Sequence, residues 1–427
     1  MTYLYNQNVF KIPRGTRDFT SQEMEKRRYI EEIMRTTFMS FGYNEIQTPT
    51  FETLELFKAK SGQEIMDELY YFKDKGNRDL ALRPELTAPT IRFYVEKLQM
   101  EPKPLKLFYF GNCYRYDRPQ KGRYREFKQA GCEIIGTDSP EANAELISLA
   151  YKILKNSGIK NLKLNIGNLT ILSSVFNQLK ITKDQQKYII PLIDKSMFEE
   201  VIDALRDFGI ENKDAENLVR FLKTTEIKFI KGFIEDDETK KELEKFETIL
   251  TLLEKAFGIK DFKIQMNIVR GLDYYKGLVF EIETPKLGAE KQLCGGGEYD
   301  LISLFGGKDA PSAGFAIGFD RTIVALETEN FNFPTKNIDV YVIPLTEDFI
   351  EKAIIIVQAL REAGLTVDLD LLRRGIGKSL KYASSIKAKK AMIIGPDEIK
   401  QNSVTIRDMD TGEQKLIKIE NIKNSIR

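Results

Sequence analysis

The sequence predicts a large α+β unit interrupted by a run of helices and followed by a small α/β unit. Three observations predict it. Strand-like segments at residues 105–116 and 127–135 flank a polar loop, so they pair antiparallel. Residues 169–257 are charged, rich in Leu and Ile and poor in Gly and Pro, which is a helical composition. From residue 339 onward strand and helix patterns alternate, the order that builds a largely parallel sheet. A chain of 427 residues also exceeds what one hydrophobic core normally supports.

The elements follow in order. Residues 19–41 form a helix, because Ile30, Ile33, Met34, Phe38 and Phe41 recur at three- and four-residue spacing and Gly42 supplies the stop. Residues 43–49 are extended, and 69–73 and 80–82 are short strands around the Lys75-Gly76-Asn77 turn. Residues 88–98 form a helix that tolerates Pro89 near its start. Another helix spans 140–156, and strand pattern returns at 262–268 and 278–283, ahead of Gly295-Gly296-Gly297 and the small-residue run 312–319. Residues 330–336, with Pro334, read as a linker. Beyond it come strand 339–343, helix 346–362, strand 366–370, helix 377–386 and strand 391–394. The predicted division is 1–168 with 259–328, an insertion at 169–258, and 335–427.

Composition narrows the chemistry. The chain is 42% hydrophobic and 30% charged, an ordinary globular balance, and its apolar runs are too short to span a membrane. No basic, apolar leader marks it for export, and Cys113, Cys132 and Cys294 make no paired framework, so a reduced cytoplasmic setting is expected. It contains no histidine, which excludes histidine bases, histidine-ligated metals and serine–histidine pairs. Three scattered cysteines give no basis for a bound zinc. Carboxylates, arginines, tyrosines and backbone groups remain. The net charge of +1 says little about nucleic acid, so any such surface must be local.

The hairpin from Arg115 to Lys128 is the most informative segment. It carries six basic residues against two acids, and forked guanidinium groups at its base and tip suit a polyphosphate. From charge alone a solvated hairpin is equally open. Phe127, Gln129 and Glu133 share one strand face by two-residue alternation. If buried, the polar pair needs partners, from substrate or from a structural ion pair. In Leu82-Arg83-Pro84-Glu85-Leu86-Thr87, Glu85 favours a helix dipole and Thr87 a cap, an ordinary helix start. Arg270-Gly271-Leu272-Asp273-Tyr274-Tyr275 offers an anion partner and two hydroxyls. The glycines at 295–297, with Gly314 and Gly318, allow close approach by a ligand or by a neighbouring strand. Gly375-Ile376-Gly377-Lys378-Ser379 is not a phosphate-binding P-loop, which needs four residues between its glycines. From Arg373 to Lys390 there are seven positive charges and no acid, a credible RNA-backbone surface.

Together these segments resemble the class II aminoacyl-tRNA synthetases, and specifically the histidine enzymes. The resemblance runs through Pro13-Arg14-Gly15-Thr16-Arg17-Asp18-Phe19, Leu82 to Pro89, the Arg115 hairpin, Arg270 to Tyr275, the Gly295 run with Tyr299-Asp300, and Gly314 to Arg321. It implies an antiparallel catalytic sheet with flanking helices, a helical insertion, an anticodon-binding α/β domain, and a homodimer with residues 42–57 at its interface. The implied activity is ATP-dependent activation of L-histidine and its transfer to the 3′ end of tRNA(His), with Mg²⁺ accompanying ATP. By that likeness Arg115 holds the α-phosphate, Arg123 the outer phosphates, and Phe127 and Arg321 the adenine. Glu85 and Thr87 grip the histidine ammonium and Gln129 sits near its carboxylate. Glu133 and Tyr275 bond the imidazole, with Tyr274 beside them. Arg270 stands at the α-phosphate, where a metal ion would otherwise neutralise charge, and belongs to the histidine-binding set. Arg118, Gln120 and Lys121 in the hairpin, with Arg373, Arg374, Lys378 and Lys381, are expected to meet tRNA.

Three positions depart from the family pattern: Glu298 in place of an arginine, Lys276 in place of a smaller residue, and Asp117 in place of a glutamate. Glu298 is the one expected to alter pairing near the histidine pocket. The alternative is a non-catalytic histidine-sensing or regulatory relative on the same fold. Against it stand the intact C-terminal unit and Arg115, Arg270 and Arg321.

Overall fold

A computed structural model describes residues 10–60, 63–118, 122–269 and 274–426. Its contacts divide the chain into two units, Met1–Phe333 and Pro334–Arg427. The first helix, Ser21–Ser40, begins where Thr20 and Glu23 cap each other's backbone N–H groups reciprocally. It stops ahead of Gly42, whose φ of +78° is a conformation that side chains resist. Ile30, Met34 and Phe38 form its buried stripe, and the Phe38 ring stacks on Phe108 of the sheet at 4.9 Å.

In chain order the strands of this unit are β1 (Asn44–Glu45), β2 (Phe51–Thr53), β3 (Tyr71–Lys73), β4 (Asp79–Leu82), β5 (Leu105–Tyr114), β6 (Glu126–Ile135), β7 (Lys163–Asn168), β8 (Phe262–Ile264), β9 (Tyr275–Glu283), β10 (Gln292–Tyr299) and β11 (Ser312–Gly318). Eight of them make one sheet in the order β1-β5-β6-β11-β10-β9-β7-β8, and β2-β4-β3 make a separate small sheet. Neighbours are antiparallel from β5 across to β7. At the two edges the pairing is parallel, β1 with β5 and β8 with β7. The sheet is therefore antiparallel at its centre and mixed overall. Parallel neighbours need a long crossover. Between β7 and β8 that crossover is the helical stretch from Leu169–Gln178 to Asp237–Lys255. Its Leu172, Phe176, Phe246 and Leu253 share one apolar cluster with Phe108, Phe280 and Phe315 of the sheet.

The second unit holds β12 (Val340–Pro344), β13 (Val367–Leu369), β14 (Lys390–Ile394), β15 (Ser403–Asp408) and β16 (Gln414–Lys418), ordered β13-β12-β14-β15-β16. The first three are parallel, as expected, but β15 and β16 add an antiparallel hairpin. Along β12, Val340 and Val342 enter one apolar cluster while Tyr341 and Ile343 enter another, so both faces are covered.

Candidate active site

A cavity of about 650 Å³ lies over β6, β9, β10 and β11 and reaches Lys60 at the end of a short helix and the loops that carry Glu85 and Arg115. The two-residue repeat of β6 delivers Phe127 and Gln129 to it. Two glycines of β10 let strands close behind it. A Cβ at Gly296 would lie 2.4 Å from the Gly314 carbonyl oxygen, and one at Gly297 2.3 Å from that of Leu278.

Arginines gather at one part of the wall. Arg115 Nε donates to the Pro84 carbonyl at 3.0 Å, and its guanidinium carbon lies 5.4 Å from the Phe127 ring centre. A carbonyl orients a guanidinium without cancelling its charge. Arg321 donates to the carbonyls of Gly122 and Gln292, each at 3.1 Å. Arg123 Nε meets Asp117 at 2.8 Å, so the Asp117 departure keeps a carboxylate in contact with this arginine. A planar aromatic sharing a wall with fixed forked donors suits a nucleotide with its phosphates.

Glu85, Thr87, Gln129, Tyr274 and Tyr275 line the same cavity. The Thr87 hydroxyl makes no cap. The Glu85 carboxylate does that work instead, accepting from the Thr87 N–H at 2.6 Å and the Ala88 N–H at 3.0 Å at the start of helix Thr87–Phe93. Gln129 Oε1 lies 3.4 Å from the Cys113 thiol, and the Tyr274 and Tyr275 rings sit 4.4 Å apart. Lys60, which the sequence reading missed, places its ammonium 3.0 Å from Glu85. Burial alone would lower the pKa of this ammonium, but Glu85 lifts it above its ordinary value, so it stays charged.

Glu133 sits beneath these groups, fully buried and absent from the cavity wall. Its oxygens accept from Tyr109 at 2.8 Å and Tyr299 at 2.7 Å. Tyr109 is paired with Gly131, where a Cβ would come within 2.7 Å of the tyrosine ring, so a glycine is needed there. Burial, partly offset by the tyrosine hydroxyls, pushes the Glu133 carboxyl up to about 7. The folded chain then keeps a proton that the unfolded chain has lost, so this group's contribution to stability falls as pH rises from about 4.5 to about 7. Glu133→Gln should remove that slope, worth up to about 1.4 kcal/mol per pH unit. Melting curves of both proteins from pH 5 to 8 check it, and parallel pH profiles would contradict the assignment.

Arg270, Gln120 and Lys121 lie outside the described residues. Arg118 is exposed. In the second unit Lys378 and Lys381 are exposed, whereas Arg373 pairs with Glu347 and Arg374 is held by Asp370 at 2.9 Å and lies 4.0 Å from the Tyr382 ring centre. Ser379, in the segment set aside as a P-loop, is buried and donates to Asp370 at 2.6 Å. Glu298 faces away from the cavity. It accepts from Lys245 at 2.5 Å, Asn143 at 2.8 Å and the Leu278 N–H at 2.8 Å, tying the helical stretch to the sheet. Lys276 meets Asp300 at 3.2 Å near the surface.

Residues 15–322 match the family described as histidyl-tRNA synthetase, and residues 339–427 match the anticodon binding domain. The histidine–tRNA ligase of Methanocaldococcus jannaschii is 42% identical over 421 residues, covering 97% of this chain and 99% of that one. That of Archaeoglobus fulgidus is 44% identical over 409 residues, covering 95% and 96%. The crystal structure of apo S. aureus histidyl-tRNA synthetase superposes with a TM-score of 0.76 at 31% identity, covering 98% of this chain and 100% of that one. The cavity, the sheet and these matches agree: the chain belongs to the histidyl-tRNA synthetase family.

Proposed function

We propose that this chain activates L-histidine with ATP and passes the histidyl group to the 3′ end of tRNA(His). The observation that carries the reading is one cavity joining Arg115, Arg123, Phe127 and Arg321 to Glu85, Thr87, Gln129, Tyr274 and Tyr275. The histidine carboxylate attacks the α-phosphorus of ATP and pyrophosphate leaves. No proton has to be removed, so positioning and charge stabilisation suffice, and a chain without histidine loses nothing. In this reading Arg115, with Arg270 as the family likeness implies, stabilises the charge at phosphorus. Arg123 takes the outer phosphates and Phe127 with Arg321 encloses the adenine. Glu85 and Thr87 receive the α-ammonium, Gln129 faces the carboxylate, and Tyr274 and Tyr275 flank the imidazole above Glu133. Magnesium enters as part of the nucleotide substrate.

Lys378 and Lys381 offer exposed cations for tRNA in the unit that matches an anticodon-binding domain, with Arg118 exposed in the hairpin of the first unit. A homodimer is the assembly we propose, and the exposed Phe51, Tyr71 and Phe72 of the small sheet support it. No described helix is long and apolar enough to cross a membrane, and we place the enzyme in the cytoplasm by its family. The regulatory alternative is not favoured, because Arg115 and Arg321 face the cavity and the C-terminal domain is present.

The test is pyrophosphate exchange with each amino acid in turn, followed by charging of tRNA(His). Histidine alone should support exchange. Removing residues 334–427, which hold their own apolar clusters, should leave exchange within about threefold and cut tRNA charging by about a hundredfold or more, as lost positioning predicts. Equal loss of both activities would contradict that split.

A further inference from the structure

Lys60 ends the helix Leu54–Lys60, and its side chain is buried at the cavity edge. Leu56 and Phe57 hold that helix in an apolar cluster with Ala81 and Ala88, which fixes where the lysine emerges. Its ammonium lies 3.0 Å from Glu85 Oε1 and 4.6 Å from the Tyr274 ring centre. An ionised carboxylate offers about four lone-pair directions. At Glu85 three donors already converge: the Thr87 N–H at 2.6 Å, the Ala88 N–H shared between both oxygens at 3.0 and 3.3 Å, and Lys60 at 3.0 Å. Lys60 is the cationic partner among them, so a second ammonium at Glu85 would sit against the first.

We infer that Lys60 occupies the seat of the substrate's α-ammonium in the empty site, so that histidine binds by exchanging one ammonium for another at Glu85. The inference rests on the reading of this cavity as a histidine site. Two cations on one buried carboxylate repel far more strongly than in water, so the incoming ammonium displaces the lysine rather than joining it. The lysine thereby partners the Glu85 carboxylate at the helix start while the site is empty. It also subtracts from the affinity of any ligand that uses Glu85. A ligand without an ammonium leaves the pair untouched, and that difference makes Lys60 a specificity-determining residue.

Two fragments of the substrate separate the possibilities. Histidinol carries the ammonium without the carboxylate, and 3-(imidazol-4-yl)propionate carries the carboxylate without the ammonium. Histidine-dependent exchange by the unaltered chain tests the underlying reading by itself, and its absence sinks that reading whatever Lys60 does. With exchange established, Lys60→Met should tighten histidinol binding by roughly tenfold, the scale of one modest interaction, and leave the propionate within about twofold. Weaker histidinol binding, or a propionate that loses affinity, would overturn the exchange and make Lys60 a direct substrate contact. A second measurement needs no variant. Saturating histidinol should expose Lys60 to acylation by acetic anhydride, read by peptide mass spectrometry, while the propionate should not. Unchanged Lys60 reactivity under histidinol overturns the inference even if Lys60→Met does not fold.

Discussion

Replacing Arg115 with alanine should slow histidine-dependent pyrophosphate exchange by about 10²–10³-fold, the scale seen when one fixed charge-stabilising donor is removed. The Arg115 guanidinium is held through Nε by the Pro84 carbonyl at 3.0 Å, so its charge is aimed before substrate arrives. Charge that builds at phosphorus during attack gains most from a partner that need not reorganise. Lysine should not rescue the loss, because a point ammonium keeps neither the anchor to Pro84 nor the fork that faces two oxygens. The side chain is half-buried and no strand packing depends on it, so the melting midpoint should move by only a few degrees. Exchange within tenfold of the unaltered rate would place the charge stabilisation elsewhere.

Gly314→Ala should be the most damaging single methyl group in the site. Gly314 pairs with Glu133 on one side and Gly297 on the other. A Cβ there would lie 1.7 Å from Glu133 Oε2 and 2.6 Å from the Cys132 carbonyl oxygen. The carboxylate can swing away only by leaving Tyr299, and the carbonyl belongs to a paired strand. Overpacking and an unpaired buried carboxylate cost about 1–3 kcal/mol each. Denaturant unfolding should register that loss, and the histidine KM should rise by about tenfold or more as the pocket floor shifts. Adding Glu133→Ala to Gly314→Ala should restore part of the stability, since one change removes what the other clashes with. A Gly314→Ala protein as stable as its parent would show that Glu133 does not lie across this glycine.

Much of the site was legible because its grammar is local. The alternation of one strand placed Phe127 and Gln129 together, and the hairpin placed Arg115 beside them. Glu133 obeys the same alternation and yet is sealed below the cavity. Tyr109, opposite Gly131, closes over it, and only cross-strand register reveals that. Lys60 gave no signal at all, since a lysine ending an amphipathic helix is usually solvated. The basic run of the second unit misled in a related way. Counting along residues 373–390 leaves out Asp370 and Glu347, the acids that engage Arg374 and Arg373 from outside the window. Glu298 was expected to disturb the histidine pocket and instead braces the helical stretch from behind. Strands β7, β15 and β16 went unseen. Nearly every residue of β7 is buried, so it has no polar–apolar rhythm, and β16 is mostly exposed.

The crossover between β7 and β8 reads in the sequence as an inserted helical module, and its helices share one apolar cluster with the sheet. Melting these helices would uncover β9, on which Leu169–Gln178 packs, and open Glu298 and Lys245 to solvent in the same event. Residues 10–333 should therefore denature in one cooperative step, with amide protons in helix Asp237–Lys255 exchanging no faster than those of the central strands. An enzyme trimmed of this segment would forfeit the floor on which its chemistry stands.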